Sequence, residues 1–453
     1  MQQPHERTGL LSSNESDDTA NNDAKPTSSP SYGLVADNGD AAALSSDGKT
    51  DLSALPLKKQ ASNRILSLDQ FRGYVVLLLI AVPAVGFGND SPAFFRHNGS
   101  GFSLADSIMP HFYIMVGFAM RLTLTRLAKR EGVMAAIKKQ LVRSGRLFAI
   151  GLVYYGVDGF ASYSGTNGFQ SSWWTVILQI LYGRSVWQTL TTMALCQILL
   201  LPVIVRPVSW RAAYALLLLV IYIACEFSFW FEYTTPWGNY IDGGVVGCLV
   251  WSVAVLAGSF LNDFSEWAAP RISHVHVQNK ASMAKRILLL CLPLVVAAVV
   301  TMSFGIGLSA LPQSWSPVCL DFANGRASVP CPSDAGVVSL PFSQYNPIVS
   351  VFSFSMPKST FTYQIFGIGW SIVVYLVFFI ASDIFGLTWS FFNVLSATAL
   401  QMYIFNDYGF GFTDGIIPSD SPAWCALLFL PISLLININI AYFLFNNKWF
   451  IHL

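Results

Sequence analysis

Apolar residues in this chain gather into long runs that are separated by short polar connections. A helix that crosses a bilayer needs roughly 20 mainly apolar residues. Ten stretches have that pattern: 70–90, 104–125, 143–162, 186–205, 212–232, 243–261, 286–307, 362–382, 388–406 and 423–444. Residues 172–183 (SWWTVILQILYG) are apolar but short and read as an interfacial or re-entrant helix, so the count is ten to eleven. Ahead of the first run, residues 1–62 are rich in Ser, Asp, Asn, Ala and Gly, with Tyr32 their one aromatic residue. Such a segment buries too little apolar surface to offset its ordering entropy. It also lacks the apolar core of a signal peptide. The predicted fold class is therefore all-α: a polytopic membrane domain over 63–453 with about ten transmembrane helices, behind a disordered tail over 1–62.

Composition supports the same class. Apolar residues make up 53% of the 453 and charged residues 11%, whereas a soluble domain carries about 25% charge to coat its surface. The net charge of +1 gives no sign of a nucleic-acid partner. Position is more informative than total. Connection 121–146 holds Arg121, Arg126, Lys129, Arg130, Lys138, Lys139, Arg143 and Arg146; 206–211 holds Arg206 and Arg211; 262–286 holds Arg271, Lys280, Lys285 and Arg286. Short cytosolic loops collect Lys and Arg, which predicts cytosolic termini and places the odd-numbered connections in a lumen or outside the cell.

Five of the seven cysteines (Cys196, Cys225, Cys248, Cys291, Cys425) fall in spans and are predicted as buried thiols. Cys319 and Cys331 share the long loop 308–361. On the lumenal side an oxidising compartment would pair them, closing a loop worth on the order of 3 kcal/mol in the chain-entropy model; the alternative is two unpaired loop thiols.

Candidate chemistry begins at ILSLDQFRGYVV, where Asp69 and Arg72 are three apart and share a helix face. An interfacial ion pair is the plain reading of that spacing. After the first span comes FFRHNGSGFSLADSIMPHF. His97 falls at the lumenal edge, and Asp106 and His111 at the start of the second span. A neutral imidazole there can accept a proton from an attacking amine or hydroxyl, or act as nucleophile, and Asp106 could fix its tautomer. Ser103-Leu104-Ala105-Asp106 also has the form of a helix capping box. Asn98-Gly99-Ser100 is a glycosylation sequon. Asp158, Glu226, Glu232 and Asp242 collect toward lumenal span ends, and Lys358 is one of few lumenal cations. No metal-ligand spacing is present, so no metal is predicted.

At these residues the chain resembles the heparan-α-glucosaminide N-acetyltransferase-like transmembrane acyltransferases. Arg64, Ser67-Leu68-Asp69 and Phe71-Arg72-Gly73 are similar to that family's opening signature. HNGSGFSLADSIMPHFYIMVG resembles its stretch from a His through Gly, Ala-Asp and Pro to Met-Gly, with His97 where the family keeps its active-site His. Arg143-Ser144 with Gly151, Gln188, Tyr240-Ile241-Asp242 and Lys358 are further matches. Departures lie at Thr189, at Gly243, and at Ala397-Thr398…Tyr403…Asn406.

The resemblance implies acetyl-CoA as a cytosolic co-substrate and a lumenal sugar or glycan as acceptor. It implies His97 with Asp106 as catalytic residues, Asp69, Arg72, Arg143 and Gln188 as the cofactor-binding set, and Asp242 and Lys358 as other site residues. Two alternatives stay open: a non-catalytic relative, which the departures favour, and a membrane transporter. Cytosolic Arg121, Arg126, Lys129, Lys138 and Lys139 could meet CoA phosphates, or simply follow the charge bias of inner loops. Glu6-Arg7-Thr8-Gly9-Leu10-Leu11 has the acidic-dileucine form of a sorting signal, with Leu10 and Leu11 read by an adaptor, which predicts a lysosomal or vacuolar membrane. The other partner is membrane lipid; the oligomeric state, including a homodimer, stays open.

Overall fold

The computed structural model describes residues 65–85, 94–95, 97, 101–167, 186–231, 242–272, 280–321, 326–329, 331, 348–405 and 423–451. For 156–167, 280–282, 320, 326–328, 348, 423 and 425–427 it describes the backbone alone. The chain divides into two units, Met1–Ala61 and Ser62–Leu453, and the described residues belong to the second. The predicted disordered tail, the adaptor motif at Leu10 and Leu11, the 172–183 helix, the Asn98 sequon, Glu232, Tyr240-Ile241 and Asn406 lie outside them, as do the side chains of Asp158 and Cys425.

The helices are α1 (Leu66–Val85), α2 (Leu104–Glu131), α3 (Val133–Asn167), α4 (Thr189–Leu200), α5 (Val208–Cys225) and α6 (Gly244–Ile272). Then follow α7 (Lys280–Ser309), α8 (Phe361–Phe378), α9 (Ser390–Ala397), α10 (399–405) and α11 (Ala423–Asn446). Two helices end in a wider π turn, α5 over Glu226–Trp230 and α8 over Phe379–Ile384. We call the end of the bundle where α1 begins proximal, and the end where α2 begins distal.

Six helical segments among the described residues are long and apolar enough to cross a membrane: Leu66–Val85, Val208–Trp230, Gly244–Ile272, Met283–Ser309, Phe361–Ile384 and Leu428–Asn446. The other predicted spans each depart from that standard. α2 is long, but Asp106, Ser107, His111 and Arg121 interrupt its apolar run. α3 starts ten residues earlier than the predicted span and takes in the basic residues of 138–146. The predicted span 186–205 is a 12-residue helix followed by turns. The predicted span 388–406 is broken at Thr398 into α9 and α10.

The distribution of apolar surface is that of a protein dissolved in lipid. α7 exposes Leu288, Leu292, Val296, Val299 and Phe304; α11 exposes Leu428, Leu435 and Phe443. Buried polar residues are collected between α1, α2, α6 and α8 instead, among them Gln70, Asp106, His111, Ser252, Gln364 and Ser371. A bilayer solvates the first set and excludes the second.

Close helix contact begins where α2 crosses α6. Gly117 of α2 lies against the Val255 carbonyl, and Gly258 of α6 lies against the Ile114 carbonyl; a methyl group at either glycine would overlap the facing backbone. Small residues let membrane helices approach in this way. Toward the proximal end the same pair is tied by charge. Asp263 of α6 accepts from Arg121 Nε at 3.0 Å and is also bonded by Arg211 of α5. Arg211 is fully buried, donates to Ser259 Oγ at 2.6 Å, and lies over the Phe260 ring. Arg121 is therefore part of a structural tie.

The distal loop contains a small sheet that the apolar pattern did not foreshadow. Its strands, β1 (Cys319–Asp321), β2 (Arg326–Val329) and β3 (Ile348–Val349), are antiparallel in the order β2-β1-β3. Cys319 and Cys331 are joined by a disulfide, as predicted, with their Cα atoms 5.1 Å apart. Of the other described cysteines, Cys196, Cys248 and Cys291 are buried thiols, whereas Cys225 is only half-buried.

Two substitutions test these ties. Gly258→Leu should lower stability by about 1–3 kcal/mol through overpacking. Asp263→Ala, which leaves the buried Arg211 without its carboxylate, should lower it by about 3–5 kcal/mol. The melting temperature of the purified protein in mixed micelles reads both, and an unchanged melt for Gly258→Leu would show that the helices do not touch at this crossing.

Candidate functional site

The distal candidate is built on the first turn of α2. Ser103 is the N-cap: its Oγ accepts the Asp106 backbone N–H at 3.1 Å, while Asp106 Oδ2 accepts from the Ser103 N–H at 3.0 Å. The capping box predicted from the sequence is thus present. It uses only one oxygen of Asp106. The other, Oδ1, lies 3.0 Å from His97 Nδ1. Capping and orienting are both performed by one carboxylate, whose side chain is fully buried while that of His97 is 52% exposed.

Pro110 adds a further tie. It has no N–H, so the carbonyl four residues back, that of Asp106, loses its intrahelical partner. Tyr363 of α8 fills that role, donating to the Asp106 carbonyl oxygen at 2.6 Å. The sequence held this signal, a proline one turn after the acid, although the hydroxyl that answers it comes from 257 residues away.

Crowding by protein draws the His97 imidazole pKa down, but the hydrogen bond and charge of Asp106, with the charge of Asp242, outweigh it and hold the pKa above its ordinary value. With Nδ1–H donated to the carboxylate, Nε2 carries the free lone pair and lies on the half-exposed ring.

Asp242 and Lys358 come together through their backbones. Asp242 adopts a left-handed φ of 57° and leads into Gly243 and Gly244, which are also left-handed. Ser359 is left-handed too, at 52°. Gly243 N–H donates to Pro357 O at 3.1 Å, joining the two turns. Trp251 Nε1 donates to the Asp242 carbonyl at 3.0 Å and Trp230 Nε1 to that of Gly243 at 2.9 Å. Non-glycine residues held at positive φ persist only where surrounding contacts impose it, and they cluster at functional sites. Lys358 is buried, with Nζ 5.8 Å from the Phe231 ring centre. Burial pulls its pKa down from 10.5 to about 7, against the charge of Glu226, which favours the ammonium. Tyr222, absent from the sequence expectations, links this cluster: its hydroxyl is 2.9 Å from Glu226 Oε1 and 2.9 Å from the Ser359 carbonyl.

The proximal candidate is a cavity of about 470 Å³ lined by α1, α2, α3, α4, α9 and α10. Arg72 and Arg143, predicted from separate motifs, both line it. The Arg143 charge is near enough to act on Arg72, and Asp69, one turn before Arg72, acts on it in the opposite sense. The ion pairs among the described residues include neither arginine, and the predicted Asp69–Arg72 pair is a longer-range attraction rather than a direct contact. Gln188 holds the N-cap position of α4 and does not line this cavity, whereas its neighbour Thr189 does.

The apolar wall is Phe112, Met115, Val116 and Met193. The polar wall is Gln140 and Gln197, bonded to one another at 2.7 Å with Ser144 Oγ donating to Gln197 Oε1 at 3.0 Å. Tyr403 of α10 also lines the cavity, and its hydroxyl is 2.7 Å from that of Tyr155. Arg143 also borders an outer hollow lined by Lys138, Lys139 and Arg146, so the cavity meets a basic surface. Of the other basic candidates, Arg121 is held by Asp263 and Lys129 borders a separate hollow with Arg206, while Lys139 also pairs with Glu131.

Among the described residues no group of three His, Cys, Asp or Glu side chains could hold a metal ion. Comparison with known proteins gives no matching family model and no matching curated protein.

Two titrations check the distal geometry. Asp106→Asn should move the His97 titration to lower pH, read by NMR of histidine-labelled protein; an unmoved titration would exclude the Asp106 contact. For Lys358 the sign follows from a folded pKa near 7 and an unfolded value of 10.5. Below pH 7 both states are protonated and the penalty is fully present. Between 7 and 10.5 the unfolded chain binds the extra proton, so stability rises with pH. Lys358→Met should flatten that rise in pH-dependent melting.

Proposed function

We propose that this chain is a membrane acyltransferase that carries an acetyl or other acyl group from cytosolic acyl-CoA to an amine or hydroxyl of a lumenal sugar or glycan. In this reading the proximal side is cytosolic and both termini lie there. Ten spans complete the domain, α2, α3, α4 and α9–α10 crossing with help from their neighbours, and the compartment is lysosomal or vacuolar. The distal disulfide supports the orientation, since disulfides persist in oxidising compartments.

One observation carries the reading: two like-charged guanidinium groups, Arg72 and Arg143, face a single cavity that continues onto a basic surface. Side chains in that arrangement repel unless an anion joins them, and bidentate guanidinium–phosphate bonding is strong. The nucleotide phosphates of a coenzyme A thioester have the required charge, and the apolar wall suits its pantetheine arm. At the distal end His97 Nε2 would take the proton of the attacking acceptor while Asp106 stabilises the imidazolium. The new bond forms between acceptor and acyl carbon, the carbon–sulfur bond breaks, and the proton finally resides on the coenzyme A thiol. A second reading, a non-catalytic relative, is favoured by Thr398 and Asn406, which stand where the resembled family carries other polar groups.

The test is acyl transfer from radiolabelled acetyl-CoA to glucosamine by protein reconstituted in vesicles. His97→Ala should lose about 10²–10⁴ of the rate while still binding acetyl-CoA. Arg143→Gln should raise the KM for acetyl-CoA about tenfold, the loss of one charge-assisted bond. Equal rates for wild type and His97→Ala would remove His97 from the chemistry; wild-type protein that neither binds nor transfers would leave the non-catalytic reading standing.

A further inference from the structure

α8 carries polar residues from one end of the bundle to the other. Gln364, Ser371, Tyr375 and Ser382 are spaced seven, four and seven apart, the repeat of a single helix face. All four are buried. At 1.5 Å per residue, Gln364 and Ser382 stand about 27 Å apart along the axis, close to the roughly 30 Å of hydrocarbon in a bilayer.

Partners from other helices extend this face. His111 of α2 lies beside the middle of the row, its Nδ1 2.6 Å from Ser371 Oγ. One turn on, the Tyr375 hydroxyl is 3.2 Å from Ser67 Oγ and 2.6 Å from Ser265 Oγ. Ser67 Oγ in turn donates to Asp383 Oδ2 at 2.6 Å, and Asp383 Oδ1 accepts the Ser67 N–H at 3.1 Å. The row ends in the π turn of α8, a geometry that recurs at functional sites. It turns Asp383, half-buried, toward the beginning of α1.

The informative groups are those the protein does not satisfy. His111 Nε2, both amide atoms of Gln364, and Ser382 Oγ are buried with no hydrogen-bond partner among the described residues. Each such group is costly to leave unpaired in an apolar surrounding. Water is the partner that commonly answers buried groups of this kind. Ionisable residues within spans, when they face the interior of a bundle, mark relays. Around His111 the other elements present the Phe71 ring, at 5.3 Å between centroids, and Tyr74, at 6.5 Å; Tyr74 is the one titratable group among these neighbours.

We propose that this polar file, from Gln364 through His111, Ser371 and Tyr375 to Asp383, conducts protons across the membrane. His111 is the central carrier: an N–H bond forms at one ring nitrogen as the proton arrives and the N–H bond at the other breaks as a proton leaves, so no bond between heavy atoms changes. Tyr375 and Ser67 pass the proton by exchange of hydroxyl hydrogens, and Asp383 delivers it at the proximal end. The file uses no residue of the acyl-transfer reading and holds whether or not that reading does.

The test is proton flux into liposomes that contain the full chain, with a pH-sensitive dye trapped inside and a potassium diffusion potential set by valinomycin. Wild-type vesicles should change their internal pH at least tenfold faster than protein-free vesicles. His111→Phe and Gln364→Leu should each return the rate to that of protein-free vesicles, with circular dichroism and elution profile unchanged. Ser371→Ala, which removes only a hydroxyl, should reduce the rate and serves if His111→Phe does not fold. Wild-type flux equal to that of protein-free vesicles overturns the proposal, as does undiminished flux in Ser371→Ala together with either of the other two variants.

Discussion

The crossing of α2 over α6 is the constraint on which the other arrangements rest. Gly117 and Gly258 place each helix directly on the other's backbone carbonyls. α2 then has little freedom to rotate or slide, and it contributes to both candidate sites and to the polar file. Its first turn holds Asp106, its third holds His111, its middle turns give Phe112, Met115 and Val116 to the proximal cavity, and Arg121 near its end meets Asp263. In lipid there is no hydrophobic force to bring helices together, so close van der Waals approach has to supply the association. Bonds such as Arg121–Asp263 and Tyr363–Asp106 then fix the register that the glycines permit.

The helical class was legible because bilayer thickness imposes a length on apolar runs, and the six strongest segments fall within or across the predicted ones. The failures have equally physical causes. Length and hydropathy are averages over a window, so they do not register where a chain turns. At Thr398 the helix breaks within an otherwise continuous apolar run. Over 201–206 the chain leaves helical geometry while remaining apolar except at Arg206. The three-stranded sheet is built from strands of two to four residues, too short for an alternating pattern to stand out.

The candidate sites were legible in proportion to how local they are. Asp106 and His97 lie nine residues apart, and a capping-box spacing with a nearby imidazole was enough to point to their contact. The choice between cap and orienting carboxylate was open in the sequence because a spacing does not say which oxygen does what. Arg72 and Arg143 were each marked by a separate resemblance, but nothing in the sequence says that α1 and α3 face one cavity. Gln140 with Gln197, Tyr155 with Tyr403, and Tyr222 with Ser359 are partnerships between distant segments. Uncharged side chains such as these also lack the rarity that draws attention to an intramembrane charge.

The two ends of the bundle have opposite electrostatic character. The proximal cavity gathers guanidinium groups and borders Lys138, Lys139 and Arg146. The distal end gathers Asp106 and Asp242 around His97, while burial weakens the charge of its nearest lysine, Lys358. A field of this form favours an anion at one end and a cation at the other. That matches the proposed donor, which is polyanionic, and the proposed acceptor, an amino sugar that is an ammonium ion before it reacts. An ammonium cannot attack a thioester until it loses a proton, and in the proposed reading that proton passes to His97. By holding the imidazole pKa above its ordinary value, Asp106 makes His97 a better proton acceptor, and the same carboxylate steadies the charge that results. In the proposed reading Asp106 would thus serve both to attract the acceptor and to activate it, and it is held in place because it also begins a helix.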